Sequence, residues 1–187
     1  MRIAANIARM LLSTAACGLF SALAYYSIEH NGILFITPFT FTWALTLTNL
    51  DRVKINKFKA LGLGMMLSLP VFFICLGLSI GFIPLIGQSS IGIMYTVAAV
   101  LMYLVSSTYV NMRSFKTGLV TTALLASLAA LLTQQLNLFL LKQAPALASN
   151  PEMFFISWQL LAGLGINTGI WLNVKERYLT FTRSNKT

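Results

Sequence analysis

Six long apolar runs, at about 8–27, 32–50, 60–80, 91–111, 117–141 and 153–173, constrain this chain more than any other feature. Each approaches the roughly 20 residues that a helix needs to cross a bilayer core about 30 Å thick. A water-soluble domain of 187 residues has no core large enough to hide all six. Charged side chains make up 9% of the chain, against about 25% in an ordinary soluble domain, and 57% of positions are apolar. The bilayer is therefore the expected solvent, and a segment crossing it must satisfy its own backbone donors and acceptors. These constraints predict an all-α fold. Residues 1–174 are expected to form a polytopic integral membrane protein, one compact bundle of six transmembrane helices, and residues 175–187 a basic cytoplasmic tail.

The connectors set the topology. The stretches Glu29 to Asn31 and Asn111 to Lys116 are short enough to predict tight antiparallel hairpins between helices 1 and 2 and between helices 4 and 5. With the N-terminus in the cytoplasm, every Lys and Arg except Lys142 lies on the cytoplasmic side, as the retention of positive charge there demands. Both termini are then cytoplasmic and the number of spans is even. A bacterial inner membrane is the most economical location. The first run also has the outline of a secretory signal, since Arg2 and Arg9 precede an apolar stretch ending in Ala22-Leu23-Ala24. Small residues are equally what a packed span needs, and we read the segment as retained; cleavage would leave five spans without inverting the rest.

The same inventory excludes much chemistry. A net charge of +9 would direct attention to nucleic acid in a soluble protein, but here the basic residues occupy short stretches between apolar runs, and no nucleic-acid partner is expected. Cys17 and Cys75 both fall inside apolar runs without a CxxC pair, which leaves neither a disulfide framework nor a four-ligand zinc site. One histidine cannot ligate haem from both sides, and the sequence has no P-loop, HExxH or GxSxG pattern. The expectation is a protein that is not an enzyme and holds no metal or cofactor. Every charged side chain falls near a predicted helix end, with Arg9 the deepest and able to extend its head group to the surface.

Lipid tails are as apolar as leucine, so helices associate in a bilayer through close backbone approach and interhelical hydrogen bonds. Helix 1 carries Ser13, Cys17 and Ser21 at four-residue spacing, helix 3 ends with Gly77 and Gly81, and helix 6 has Gly165 and Gly169. These are the predicted packing faces, either within the bundle or between copies. Pro38 and Pro70 each remove a backbone donor and predict a kink or local unwinding in helices 2 and 3. Helices 5 and 6 have no matching proline, so the internal symmetry of inverted-repeat transporters is not visible.

The remaining polar signal is uncharged. Gln134 lies roughly 25 Å along helix 5, and Gln159 roughly 9 Å from the opposite end of helix 6, so the two depths nearly coincide. Gln134, Gln135 and Asn137 are therefore expected to meet Gln159 and Thr40, either as the lining of a substrate pathway or as interhelical glue. Asn167, Asn49 and Asn111 would continue the route toward the cytoplasm, and Asn49 and Asn111 are also placed to cap helix ends. Glu29 and His30 share the outer mouth, as a pH-sensing pair or as a solvated loop. Arg52, Lys54, Lys57 and Lys59 are expected to contact anionic lipid headgroups or a cytoplasmic partner. The leading expectation is a small transport protein or channel/permease subunit for an uncharged, apolar or anionic small solute, acting as a homo-oligomer. The alternative is a non-catalytic subunit or assembly factor of a larger membrane complex, paired with unlike membrane subunits.

Overall fold

A computed structural model of the chain describes residues 2–27, 33–86, 89–143 and 151–172. These residues form six α-helices and no β-strand: α1 Arg2–Ser27, α2 Ile33–Thr48, α3 Lys57–Ile86, α4 Ser89–Tyr109, α5 Phe115–Gln143 and α6 Pro151–Trp171. Each apolar run of the sequence corresponds to one helix. Four helices are long and apolar enough to cross a membrane, over Ile3–Leu23, Lys57–Phe82, Gly92–Tyr109 and Phe115–Leu136. α2 has 16 residues and a length of about 24 Å, short of a full hydrocarbon core. α6 carries Gln159, Asn167 and Thr168 among its 21 residues.

Local chemistry explains the helix ends. Asn56 precedes α3, and its Oδ1 accepts from Phe58 N at 2.9 Å, satisfying one of the donors that a first turn leaves open. Pro151 opens α6, where its missing donor costs nothing. The unwinding expected at Pro70 does not occur: α3 continues through both Pro70 and Pro84, and α2 is one helix across Pro38. Pro70 sits on the exposed side of α3, where its ring displaces no neighbouring helix. Hydroxyls inside the helices find local acceptors one turn back, as Thr14, Thr122, Thr133 and Thr168 do with the carbonyls of Met10, Gly118, Ala129 and Leu164.

Each helix packs on the next in sequence, and α6 returns to α1, which closes the arrangement into a ring. α6 is the most enclosed member, with Trp158, Gln159, Ala162, Ile166, Asn167, Ile170 and Trp171 all buried. Small residues permit this. Gly165 packs on Thr122 of α5, Gly169 on Gly118 and on Tyr103 of α4, Gly163 on Cys17 of α1, and Gly18 of α1 on Leu160. At Gly165 and Gly118 an added side chain would meet backbone of the facing helix and hold the two apart, whereas at Gly18 and Gly163 it would meet the side chains of Leu160 and Cys17. Gly77 and Gly81 differ, because a Cβ added at either meets nothing within 4 Å. This α3 pair closes no helix contact among the described residues.

One face of the ring gathers the start of α1, the ends of α2, α4 and α6, and the starts of α3 and α5. Val53 and Val110 form an isolated antiparallel bridge there, with Lys54 N donating to Tyr109 O and Asn111 N to Arg52 O, both at 2.8 Å. Ser114 N donates to Gly169 O at 3.0 Å. These bonds join the α2–α3 and α4–α5 connectors to each other and to the end of α6. Arg9, Arg52, Lys54, Lys57, Lys59, Arg113 and Lys116 belong to this face, whereas Lys142 lies in the last turn of α5 at the other end.

Candidate functional site

Two rows at four-residue spacing meet inside the ring. α6 presents Gln159, Gly163, Asn167 and Trp171, and α1 presents Arg9, Ser13, Cys17 and Ser21; four-residue spacing keeps each row on a single helix face. The rows run antiparallel. The Arg9 guanidinium stands 5.2 Å from the centre of the Trp171 indole, Asn167 approaches Thr14, and Gly163 lies against Cys17. α2 closes the third side with Phe41, Leu45 and Asn49. Ser13, Cys17, Ser21, Asn49, Gln159 and Asn167 are all buried.

Asn49 is the hub of the seam. Its Nδ2 shares two N–H bonds among Ser13 Oγ at 2.9 Å, Leu45 O at 2.8 Å and Asn167 Oδ1 at 3.1 Å, while its Oδ1 accepts from Trp171 Nε1 at 2.7 Å. Ser13 and Thr48 share a bond at 2.6 Å, and Thr48 Oγ1 donates to Ala44 O at 2.6 Å. With the Thr48 proton committed to Ala44, Ser13 is the donor of that pair, so the chain runs in one direction from Asn49 through Ser13 and Thr48 to Ala44. Buried and mutually satisfied, these groups hold three helices at one register.

Gln159 is the opposite case. It lies 12 residues before Trp171, about 18 Å along α6, and is fully buried. Neither its Nε2 nor its Oε1 has a hydrogen-bond partner among the described residues. Leaving a buried polar group unpaired costs about 1–3 kcal/mol. An amide retained under that penalty calls for an explanation, and a bound polar molecule supplies one.

The structure does not bring Gln134 and Gln135 to this amide. Both are exposed on the end of α5 away from the basic face, and Thr40 is half-buried on α2. The side chain of Asn137, together with Glu29, His30 and residues 175–187, lies outside the described residues. α5 and α6 do meet at the expected level, but through Thr133 and Ser157, whose hydroxyls are 3.3 Å apart. The reason is angular. Successive helix residues turn by about 100°, so Gln159 points roughly 200° away from Ser157, toward α1 and α2. Agreement in depth says nothing about direction around the helix.

At the mouth of the seam three arginines converge on one ring. The guanidinium carbons of Arg52, Arg9 and Arg113 lie 4.6, 5.2 and 6.0 Å from the centre of the Trp171 indole. Arg9 also donates through Nη1 to Asp51 Oδ2. Arg52 belongs to this cluster, whereas Lys54 turns aside to donate to Ser107 O at 2.7 Å, and Lys57 and Lys59 are exposed. Burial, then repulsion from Arg113 and Arg9, holds the Arg52 guanidinium below its ordinary pKa against the opposing pull of Asp51. Sequence reasoning missed Trp171 and Arg113. The spacing from Gln159 through Gly163 and Asn167 to Trp171 was the available signal for the first; nothing local marks the second. The chain matches no family model, no curated protein and no solved structure.

Proposed function

We propose that all six helices span a bacterial inner membrane with both termini cytoplasmic, and that the protein is a small transport protein or channel subunit. The solute moves along the seam between α1, α2 and α6. The observation that carries this reading is the unpaired amide of Gln159, a buried group offering both a donor and an acceptor to a passing molecule. Further neutral polar groups, Ser13, Asn49 and Asn167, stand on the same seam between Gln159 and the basic face, with Gly163, Cys17 and Phe41 packed between them and the amide. Beyond Arg9 no described residue of the seam is charged, which favours an uncharged hydrogen-bonding solute over an ion.

The test is permeation into sealed proteoliposomes, followed by light scattering, for a panel of small uncharged amides and polyols. At least one solute should equilibrate faster than in empty vesicles. Gln159→Leu should remove that advantage, while Gln134→Leu and Gln135→Leu should leave it intact. Equal flux through Gln159→Leu and the unaltered protein would eliminate the seam as the route.

A second reading, a non-catalytic subunit of a larger membrane complex, draws on α3. Leu76, Leu78, Ile80, Phe82 and Leu85 are all exposed, and a Cβ added at Gly77 or Gly81 between them would meet nothing within 4 Å among the described residues. Mass spectrometry after gentle extraction separates the two: a stoichiometric unlike subunit favours this reading, and a homo-oligomer favours transport.

A further inference from the structure

We propose that Arg9, Arg52 and Arg113, gathered over Trp171, form a binding site for a phosphate-class oxyanion. Three guanidinium carbons lie within 6.0 Å of one point, and Asp51 is the one described carboxylate among them. The cluster therefore carries two uncompensated positive charges among the described residues. Trp171 offers them only the negative face of its ring, which attracts cations but cannot accept several N–H bonds at once. Arg52 Nε is buried without an acceptor among the described residues. An oxyanion supplies what is missing, namely negative charge and several acceptors matched to the planar guanidinium fork.

The surroundings suit a built site. Arg52 and Arg113 stand on connectors tied together through the Val53–Val110 bridge and the bond from Asn111 N to Arg52 O, and Ser114 beside Arg113 is tied to α6. The indole is itself fixed by its bond to Asn49. Donors held in place before the ligand arrives lose little freedom when it binds. Access is open, because the Arg9 side chain is 58% exposed. This proposal is independent of transport. It also differs from a general attraction of the basic loop to lipid, since Lys57 and Lys59 carry the same charge on the same face but do not approach Trp171.

Two sources share this chemistry, a lipid phosphate headgroup and a soluble phosphate, and two measurements distinguish them. Protein in phosphatidylcholine nanodiscs is titrated calorimetrically with inorganic phosphate at fixed ionic strength. Protein in nanodiscs containing phosphatidic acid is assayed for retained lipid by native mass spectrometry. Binding in the first identifies a soluble oxyanion; retention in the second alone identifies a headgroup. In whichever measurement is positive, Arg52→Gln with Arg113→Gln should weaken binding about tenfold or more, and Arg52→Lys with Arg113→Lys, which keeps the charge and the fold, should also weaken it through loss of the fork. Lys57→Gln with Lys59→Gln should change it less than about twofold. Absence of binding in both measurements overturns the proposal, as does a loss in Lys57→Gln with Lys59→Gln equal to that in Arg52→Gln with Arg113→Gln. Binding that appears only in Glu176→Gln also overturns it, by showing that the tail carboxylate is the native counter-ion.

Discussion

Replacing Gly165 by alanine tests whether the α5–α6 contact depends on the missing side chain. The added methyl would stand 2.8 Å from both Thr122 N and Thr122 Oγ1, and nearer still to Thr122 Cα. Ordinary carbon contacts begin at about 3.5 Å, so the two backbones must part by roughly 0.7 Å or more at this level. A gap of that size forfeits about a quarter to a half of the dispersion energy of the atoms lining it. The parting cannot stay local, because Gly169 on the same face packs on Gly118 and Tyr103 one turn away. Overpacking a tight interface costs about 1–3 kcal/mol, and a backbone-to-backbone contact belongs at the upper half of that range. Gly77→Ala and Gly81→Ala make the same chemical change where nothing lies within 4 Å, and should stay within about 0.5 kcal/mol of the parent. The assay is reversible unfolding in mixed micelles with increasing sodium dodecyl sulfate, read by helical circular dichroism. If Gly165→Ala unfolds at the same surfactant fraction as Gly77→Ala, close approach at Thr122 is not what holds α5 and α6 together.

Three further outcomes follow from the same geometry. Asn49→Leu strands Trp171 Nε1 and Asn167 Oδ1 in a buried site and should destabilise the fold by about 2–4 kcal/mol in the same unfolding assay. Gln159→Leu should do the reverse, raising stability by about 1–2 kcal/mol as it removes two unpaired buried atoms, even though it stops permeation; a destabilised variant would mean that the amide has a structural partner. Arg9→Gln breaks an exposed ion pair and should cost less than about 1 kcal/mol, an effect that moderate salt erases.

The number and order of helices were legible because a span must be apolar along its whole length, which shows in sequence without any knowledge of neighbours. The collection of basic residues at one end was legible for a related reason, since alternating helices put alternate connectors together. What stayed hidden was direction around each helix. Ser157 and Gln159 are two residues apart and nearly equal in depth, yet one faces α5 and the other faces away from it, and only the packing of α6 against α1 decides which. The glycines show the same limit. Gly165–Gly169 and Gly77–Gly81 share one pattern, but the first pair packs on α5 and the second meets no neighbouring helix among the described residues. Arg113 was illegible as a partner of Trp171 because they lie on separate elements, and the bond from Ser114 N to Gly169 O that draws them together is a backbone contact carrying no residue-type signal.

Trp171 belongs to both the arginine cluster and the seam, which makes coupling between them testable. Its ring face holds three guanidinium groups, while its Nε1 holds Asn49 and, through Asn49, Ser13 and Asn167. An oxyanion that draws the guanidiniums toward itself loosens their hold on the ring, and the indole is then free to shift against Asn49. On the proposed transport reading, an ion could not follow a neutral solute inward, because losing its water without a fixed counter-charge costs several kcal/mol. The mouth would thus hold the anion and transmit its presence. Trp171→Phe separates the two roles: it keeps an aromatic face for the arginines, weaker than indole, and removes the donor to Asn49. Oxyanion affinity should then fall by less than about threefold, while any dependence of permeation on phosphate concentration disappears. A phosphate effect on flux that survives in Trp171→Phe would show that the coupling passes elsewhere, and a wild-type flux indifferent to phosphate would show that the two sites share a residue without sharing a function.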